Sequence, residues 1–379
     1  MIDKLVLFLC LTVGTSTTLL AATAPVPAPP QVAANAYLLV DFDSGKVLAE
    51  RNIDHAIPPA SITKIMTSYV VYHELAKNSF ALDSLVPVSK KAWRMKGSRM
   101  FIEVGDKVSV ADLLRGVVIQ SGNDASVALA EYVAGSEESF AEIMNIHAQR
   151  LGMSNTVYRN STGWPDGEHV TTARDIVTLS RALIAEFPEH YETYAEREYT
   201  FNGIVQYNRN KLLWRDDSVD GVKTGHTQEA GYCLVSSAKR GDMRLIAVVL
   251  GAQSEDARVA ASRKLLGYGF RFFETHKLYS ADQSLSEIRV WKGTAETLAI
   301  GLRKDLFVTI PRGQYKKLDA ALQVSDAATA PARKYQSLGK VRVTLDGELV
   351  EERPLLALQD IAEGNLWQQA RDTVLLLFH

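Results

Sequence analysis

The chain has 379 residues, 46% of them hydrophobic, with 42 basic and 44 acidic side chains. That length exceeds what one small core organises and predicts two folded units. The net charge of -2 leaves no basic surplus for a polyanion, which excludes nucleic-acid binding as a role, and the ordinary aromatic content excludes disorder on composition.

Residues 1–24 read as an export signal. Lys4 gives a weakly positive start, residues 5–13 are apolar, and Ala22-Thr23-Ala24 is a small-residue cleavage site. The apolar run is too short to span a bilayer. Leu9 stands before Cys10 where a lipoprotein would carry a small residue. Once Cys10 is removed, Cys233 is the remaining thiol; it has no motif partner and reads as a small buried residue. Residues 25–34 form a proline-rich lead-in, expected to be extended and exposed.

Residues 36–43 and 46–50 predict two strands joined at Ser44-Gly45 as a β-hairpin. After Pro58-Pro59 a helical pattern opens at Ser61, with Ile65, Met66, Tyr69 and Val70 on one side. Residues 110–135, 172–185 and 256–275 also read as helices, and 232–238 and 243–250 as strands. Helices mixed with antiparallel strands, without repeated βαβ alternation, predict an α+β unit over residues 35–276. Near 277 the texture changes to short strands at 287–291, 306–311 and 341–345, and Asp346-Gly347 signals a tight hairpin into 348–353. Residues 277–358 are therefore expected to form a small all-β domain.

Residues 360–379 are expected to carry an amphipathic helix, with Trp367, Val374 and Phe378 on one face and Ala370 nearby. It is too short to span, so it either lies in a membrane interface or docks on a domain. Arg371 falls near the apolar face and would reach water by snorkelling. No repeat of 20–50 residues is present.

Three short motifs stand in order: Ser61-Ile62-Thr63-Lys64, Ser121-Gly122-Asn123 and Lys223-Thr224-Gly225, the last extended by His226-Thr227. Each alone is weak; the chain holds two further Ser-x-x-Lys matches, at Ser236/Lys239 and Ser337/Lys340. Order, spacing and context together are specific, because Ser61 opens a helix, Ser121 follows an apolar helical run and Lys223 sits where a strand begins. A serine hydroxyl needs an adjacent base to become a nucleophile. Residues three apart on a helix share a face, which puts Lys64 beside Ser61. A buried lysine near other cations loses its charge and can accept the serine proton. Backbone N–H groups at a helix start favour developing negative charge. The chain has no G-x-S-x-G elbow, no H-E-x-x-H pair and no glycine-rich phosphate loop, so no metal or other cofactor is expected. Isolated histidines such as His73 and His147 read as ordinary surface or core residues.

These motifs resemble the low-molecular-mass penicillin-binding proteins that act as D-alanyl-D-alanine carboxypeptidases. The resemblance extends to Asn208-Arg209-Asn210, Leu212-Leu213-Trp214 and the run 269–274. It implies a penicillin-binding/β-lactamase-like transpeptidase domain, an antiparallel sheet flanked by helices, followed by the β domain and the tail helix. It implies Ser61 as nucleophile, Lys64 as base, and the N–H groups of Ser61 and His226 as oxyanion hole. Ser121 would join the proton relay and Asn123 hold the substrate amide. Lys223 would supply positive charge, and Thr224, Gly225 and Thr227 would line the strand along which substrate lies. Arg258 and Arg209 match the positions that select a terminal carboxylate.

The implied partners are cell-wall stem peptides ending in D-Ala-D-Ala, β-lactams as inhibitors, and a membrane surface on the periplasmic side of the inner membrane. Two departures stand out. Ala125-Ser126 occupies the place where relatives often carry a cysteine, and the tail is less basic than is usual, so membrane attachment would rest on apolar burial. The rival readings are a D,D-endopeptidase, a class A β-lactamase and a non-catalytic wall-binding module. The second lacks its Glu-x-x-Leu-Asn loop here.

Overall fold

The structure, a computed structural model, describes residues 26–377. The expected export signal lies outside the described residues, as do Phe378 and His379. Strands β1 (Ala36–Asp41) and β2 (Val47–Arg51) form the expected hairpin. A 3-10 turn (Ala60–Thr63) leads into α1 (Lys64–Ala76). There follow β3 (Leu85–Pro87), α2 (Lys90–Trp93), β4 (Lys107–Ser109), α3 (Val110–Arg115), a π-turn (Gly116–Gln120), α4 (Asn123–Ala134), α5 (Glu137–Leu151), α6 (Ala173–Glu186) and α7 (Pro188–Tyr191). Hairpin β5 (Glu198–Phe201) and β6 (Ile204–Tyr207) precedes β7 (Val219–Thr227), β8 (Gly231–Arg240), β9 (Met243–Ala252) and α8 (Glu255–Phe272).

The main sheet runs β2-β1-β9-β8-β7, antiparallel at every pairing. Side-chain alternation explains its near-continuous apolar strands. Leu38, Val40, Ile246 and Val248 face the core shared with α1 and α4, whereas Leu39, Leu245 and Val249 face Leu265 and Leu266 of α8. Cys233 is buried as expected, and burial pushes its thiol up to about 11.

Three expectations change. The helix expected over 110–135 is broken: the π-turn ends in Ser121 at φ 64, a left-handed conformation that no continuing helix accepts. The helix expected to reach 275 stops at Phe272, because residues 273–279 pair with a distant strand, and such pairing overrides local helical pattern. The lead-in is not simply exposed. Val32 and Ala34 are buried, and Tyr268 and Lys264 of α8 donate hydrogen bonds to Pro27 O and Gln31 O at 3.0 and 2.9 Å.

The C-terminal part holds β10 (Phe273–Tyr279), β11 (Ser284–Trp291), β12 (Thr297–Gly301), β13 (Leu306–Pro311), β14 (Leu318–Val324), β15 (Ala327–Thr329), β16 (Ser337–Leu345) and β17 (Glu348–Ala357). β10 pairs with β13, and the others form a sheet of order β14-β16-β17-β12-β11-β15 around its own core. The expected tight turn is present, with Asp346 and Gly347 at φ 52 and 86 between β16 and β17. Thr309 and Thr275 tie this domain to the β1–β2 turn through Ser44 Oγ at 2.6 Å and Asp41 Oδ2 at 2.6 Å.

The last element is α9 (Leu366–Leu375), started by a capping box between Asn365 and Gln368. Its polar side is docked: buried Asp372 accepts from Lys292 N at 2.6 Å, and Arg371 pairs with Glu296 at 3.1 Å. Arg371 therefore turns toward the β domain rather than snorkelling from an apolar face. Leu366 and Trp367 remain 86% and 80% exposed. Among the described residues no helix is long and apolar enough to cross a membrane.

Candidate active site

Ser61 sits in the 3-10 turn and Lys64 opens α1, so one turn of helix brings them together. Lys64 Nζ lies 3.1 Å from Ser61 Oγ, 2.7 Å from Asn123 Oδ1 and 2.7 Å from the carbonyl oxygen of Thr162. The last two atoms only accept hydrogen bonds. A neutral amine has two N–H groups and one lone pair, so satisfying both acceptors leaves the lone pair facing the serine hydroxyl. Lys64 is 1% exposed, and burial lowers its ammonium to about 7 against the opposing effects of Asp124 and Glu137. Burial, not the neighbouring cations expected from sequence, produces this shift.

A tight turn presents the Thr162 carbonyl. Asn160 Oδ1 accepts from the N–H groups of Thr162, Gly163 and Trp164 at 3.1, 2.8 and 3.0 Å. Gly163 lies at φ +81, and a Cβ there would stand 1.7 Å from Ala60 O. Only glycine permits that approach beside Ser61.

The second motif follows the π-turn. Ser121 Oγ is buried, has no hydrogen-bond partner among the described residues and lines the same cavity as Ser61. Asn123 gives Oδ1 to Lys64 and donates Nδ2–H to Lys96 O at 2.6 Å, which leaves one further N–H for a ligand. Asp124 accepts from the N–H groups of Met100, Phe101 and Ala125 at 3.0, 2.9 and 2.9 Å, fixing the loop that carries Ser98 over the cavity.

The third motif lies within β7 rather than at its start, since the strand begins at Val219. Among the described residues β7 is an edge of the sheet, paired only with β8. Its free edge runs past the Ser61 turn, and a Cβ at Gly225 would stand 3.1 Å from Pro59 O. Lys223 is 1% exposed, and burial, then the Lys64, Arg258 and Arg209 cations, hold its ammonium well below the usual lysine range. Thr224 and Gly225 line the cavity with His226, whose exposed ring packs 4.0 Å from Tyr232. Thr227 takes a structural bond, accepting from Ala230 N at 3.0 Å.

The two arginines differ. Arg258 is 3% exposed and donates to Gly225 O and Cys233 O at 3.1 and 3.4 Å, bracing β7 on β8. Arg209 lines the cavity, and among the described residues its guanidinium has no ion-pair partner. Ser61, Ser121, Thr224, Gly225, His226, Arg209 and Arg258 thus border one cavity of about 270 Å3. Sequence reasoning missed Ser98, Thr162, Tyr232 and Glu255. Glu255 alone carried a signal, being three residues before Arg258 on the first turn of α8, where it pairs with both Arg258 and Lys211.

A serine beside a buried lysine whose ammonium is lowered to about 7, a second buried serine and a strand edge facing the cavity form an arrangement suited to serine acyl transfer on an α+β scaffold. Comparison with known proteins resolves the class further. Residues 22–254 match the D-alanyl-D-alanine carboxypeptidase family, and residues 273–363 match the C-terminal domain of penicillin-binding protein 5. The chain is 47% identical over 370 residues to D-alanyl-D-alanine carboxypeptidase DacC of Escherichia coli (strain K12), covering 96% of this chain and 92% of the relative. It is 43% identical over 362 residues to DacA of the same organism, covering 93% and 90%.

Among solved structures, penicillin binding protein 5 from Haemophilus influenzae superposes with TM-score 0.85 at 41% identity, covering 89% of this chain and 100% of that one. Penicillin-Binding Protein D2 from Listeria monocytogenes in its ampicillin-bound form superposes with TM-score 0.59 at 32% identity, covering 63% and 98%. The chain belongs to the D-alanyl-D-alanine carboxypeptidase family of penicillin-binding serine peptidases.

Proposed function

We propose that Ser61 is the acyl-ester nucleophile of this carboxypeptidase and Lys64 its base. The observation that carries the reading is the buried Lys64 amine, 3.1 Å from Ser61 Oγ with both other partners acceptors. Lys64 takes the hydroxyl proton as Ser61 Oγ attacks the carbonyl of the penultimate D-alanine. The backbone N–H groups of Ser61 and His226 hold the oxyanion. Collapse breaks the C–N bond, and the terminal D-alanine leaves with a proton delivered through Ser121. Water then cleaves the ester and the proton returns to Ser61. Asn123 and the β7 edge at Thr224, Gly225 and Thr227 align the peptide by strand addition. Arg209 meets the terminal carboxylate with Arg258 behind it. The arriving carboxylate also favours protonation of Lys223, whose charge is suppressed in the free site. A β-lactam acylates the same serine and leaves it slowly.

The test is D-alanine release from a soluble pentapeptide ending in D-Ala-D-Ala, parent against Ser61→Ala. Release by the parent alone is expected. Equal release by both would remove Ser61 from the mechanism, and release by neither, with penicillin still bound at Ser61, would favour the endopeptidase reading.

We further infer export to the periplasm, a domain division of 35–276 and 277–358, and peripheral attachment to the inner membrane through residues 360–379. Exposed Leu366 and Trp367 support the attachment, since apolar groups of α9 face outward while its polar side is docked. Removing residues 360–379 is expected to release the protein into the soluble periplasmic fraction. Unchanged membrane sedimentation would refute the attachment.

A further inference from the structure

One carboxylate, that of Glu255, stands among the cations of the catalytic cavity. It lies on the wall shared with a second cavity of about 430 Å3, which also borders Arg209. Glu255 opens the first turn of α8 with its side chain 45% exposed. Its Oε1 is 3.4 Å from Arg258 Nη2 and its Oε2 is 2.5 Å from Lys211 Nζ. The Lys211 ammonium, joined by the Arg258 and Arg209 charges, holds the Glu255 carboxyl below the usual carboxylate range, against the opposing effect of burial. Glu255 is therefore an anion at neutral pH, set against the two arginines that the catalytic reading gives to the substrate's terminal carboxylate.

The ordinary structural duties of such a residue are met by other groups. Arg258 is held by the carbonyls of Gly225 and Cys233, to which Nη1 donates at 3.1 and 3.4 Å. The Arg209 backbone is held by its N–H on Ile119 O at 3.2 Å. The start of α8 is capped by Ser254 Oγ, which accepts from Ala257 N at 3.1 Å, and Asp256 supplies a second first-turn acid. What Glu255 adds is charge. Unopposed, the surrounding cations would also retain the D-alanine just cleaved, whose amine can attack the ester carbonyl, re-form the C–N bond and return the proton to Ser61 Oγ. We propose that Glu255 is a counter-carboxylate: it competes with the terminal carboxylate of substrate and product for Arg209 and Arg258, limits how tightly the site holds a carboxylate, and favours departure of D-alanine before water attacks. It is a specificity-determining residue that leaves the bond-making steps unchanged. The proposal rests on the carboxypeptidase reading of the same site.

Glu255→Gln keeps the shape and removes the charge. Its KM for a soluble pentapeptide ending in D-Ala-D-Ala is expected to fall about threefold, the scale of a partly exposed ion pair. Added D-alanine should inhibit its acylation by the C-terminally amidated peptide at about threefold lower concentration than in the parent. KM for the amidated peptide itself should stay within about twofold of the parent's, since that end carries no charge to compete. Both gains should shrink as NaCl rises from about 0.05 to about 0.5 M, because salt screens charge and leaves packing alone. Glu255→Ala repeats the test should Glu255→Gln fail to fold. A KM for the free-carboxylate peptide that rises or stays unchanged, equal changes on both peptides, or gains that salt leaves untouched overturn the role of Glu255, while D-alanine release by the parent preserves the carboxypeptidase reading. A parent that releases no D-alanine sinks that reading and the proposal with it.

Discussion

Lowering pH from 8 to 6 should switch acylation off through Lys64. Its ammonium is lowered to about 7 by burial, from an ordinary 10.5. The reactive form is the neutral amine, so about nine-tenths of the enzyme is competent one unit above the midpoint and about one-tenth one unit below it. The second-order rate of acylation by benzylpenicillin should fall about tenfold over that range, following a single ionisation. Glu137 raises the Lys64 ionisation and lies buried near it, so Glu137→Gln should move the acid limb to lower pH. The sign for stability is the same. Between about 7 and 10.5 the unfolded lysine binds a proton that the folded one does not, so this group makes folding less stable as pH falls through that window and adds no further change below it. Stopped-flow acylation over pH 5–9 is the assay. A rate flat from pH 6 to 8, or a Glu137→Gln limb displaced to higher pH, would refute Lys64 as the base.

Arg209→Gln should raise KM for a peptide with a free terminal carboxylate about tenfold or more while leaving acylation by an amidated, uncharged analogue nearly unchanged, measured by paired kinetics. Equal effects on both would assign Arg209 a structural role. Gly163→Ala should reduce acylation at least about 100-fold and lower stability by about 1–3 kcal/mol, since its Cβ would stand 1.7 Å from Ala60 O and the residue is at φ +81. Thermal unfolding and penicillin labelling check it, and wild-type values for both would mean that the turn relaxes without cost.

The candidate site was legible in local sequence, because its assembly depends on spacings that secondary structure turns directly into contacts. Ser61 and Lys64 are three residues apart on one helical turn, and the structure puts them 3.1 Å apart. The two-domain α+β plan followed from strand texture and from the Asp346-Gly347 turn. Sequence alone did not reveal the break at Ser121, the end of α8 at Phe272 or the position of Lys223 inside β7. The last two depend on strand pairing: Phe273 pairs with Pro311, and Lys223 lies opposite Val235.

The sequence by itself determined which side chains could react and how the chain divides into helices and strands, since these follow from periodicity, turn chemistry and short-range motif spacing. Only the tertiary structure decided what those side chains are worth. It buried Lys64 enough to bring its ammonium down to about 7, placed the Thr162 carbonyl and Asn123 to orient its lone pair, set Arg209 on the cavity wall while spending Arg258 on the backbone of β7, and opened a second groove beside the first. Desolvation and hydrogen-bond saturation are properties of the packed environment, and residues a hundred positions apart in the chain supply it.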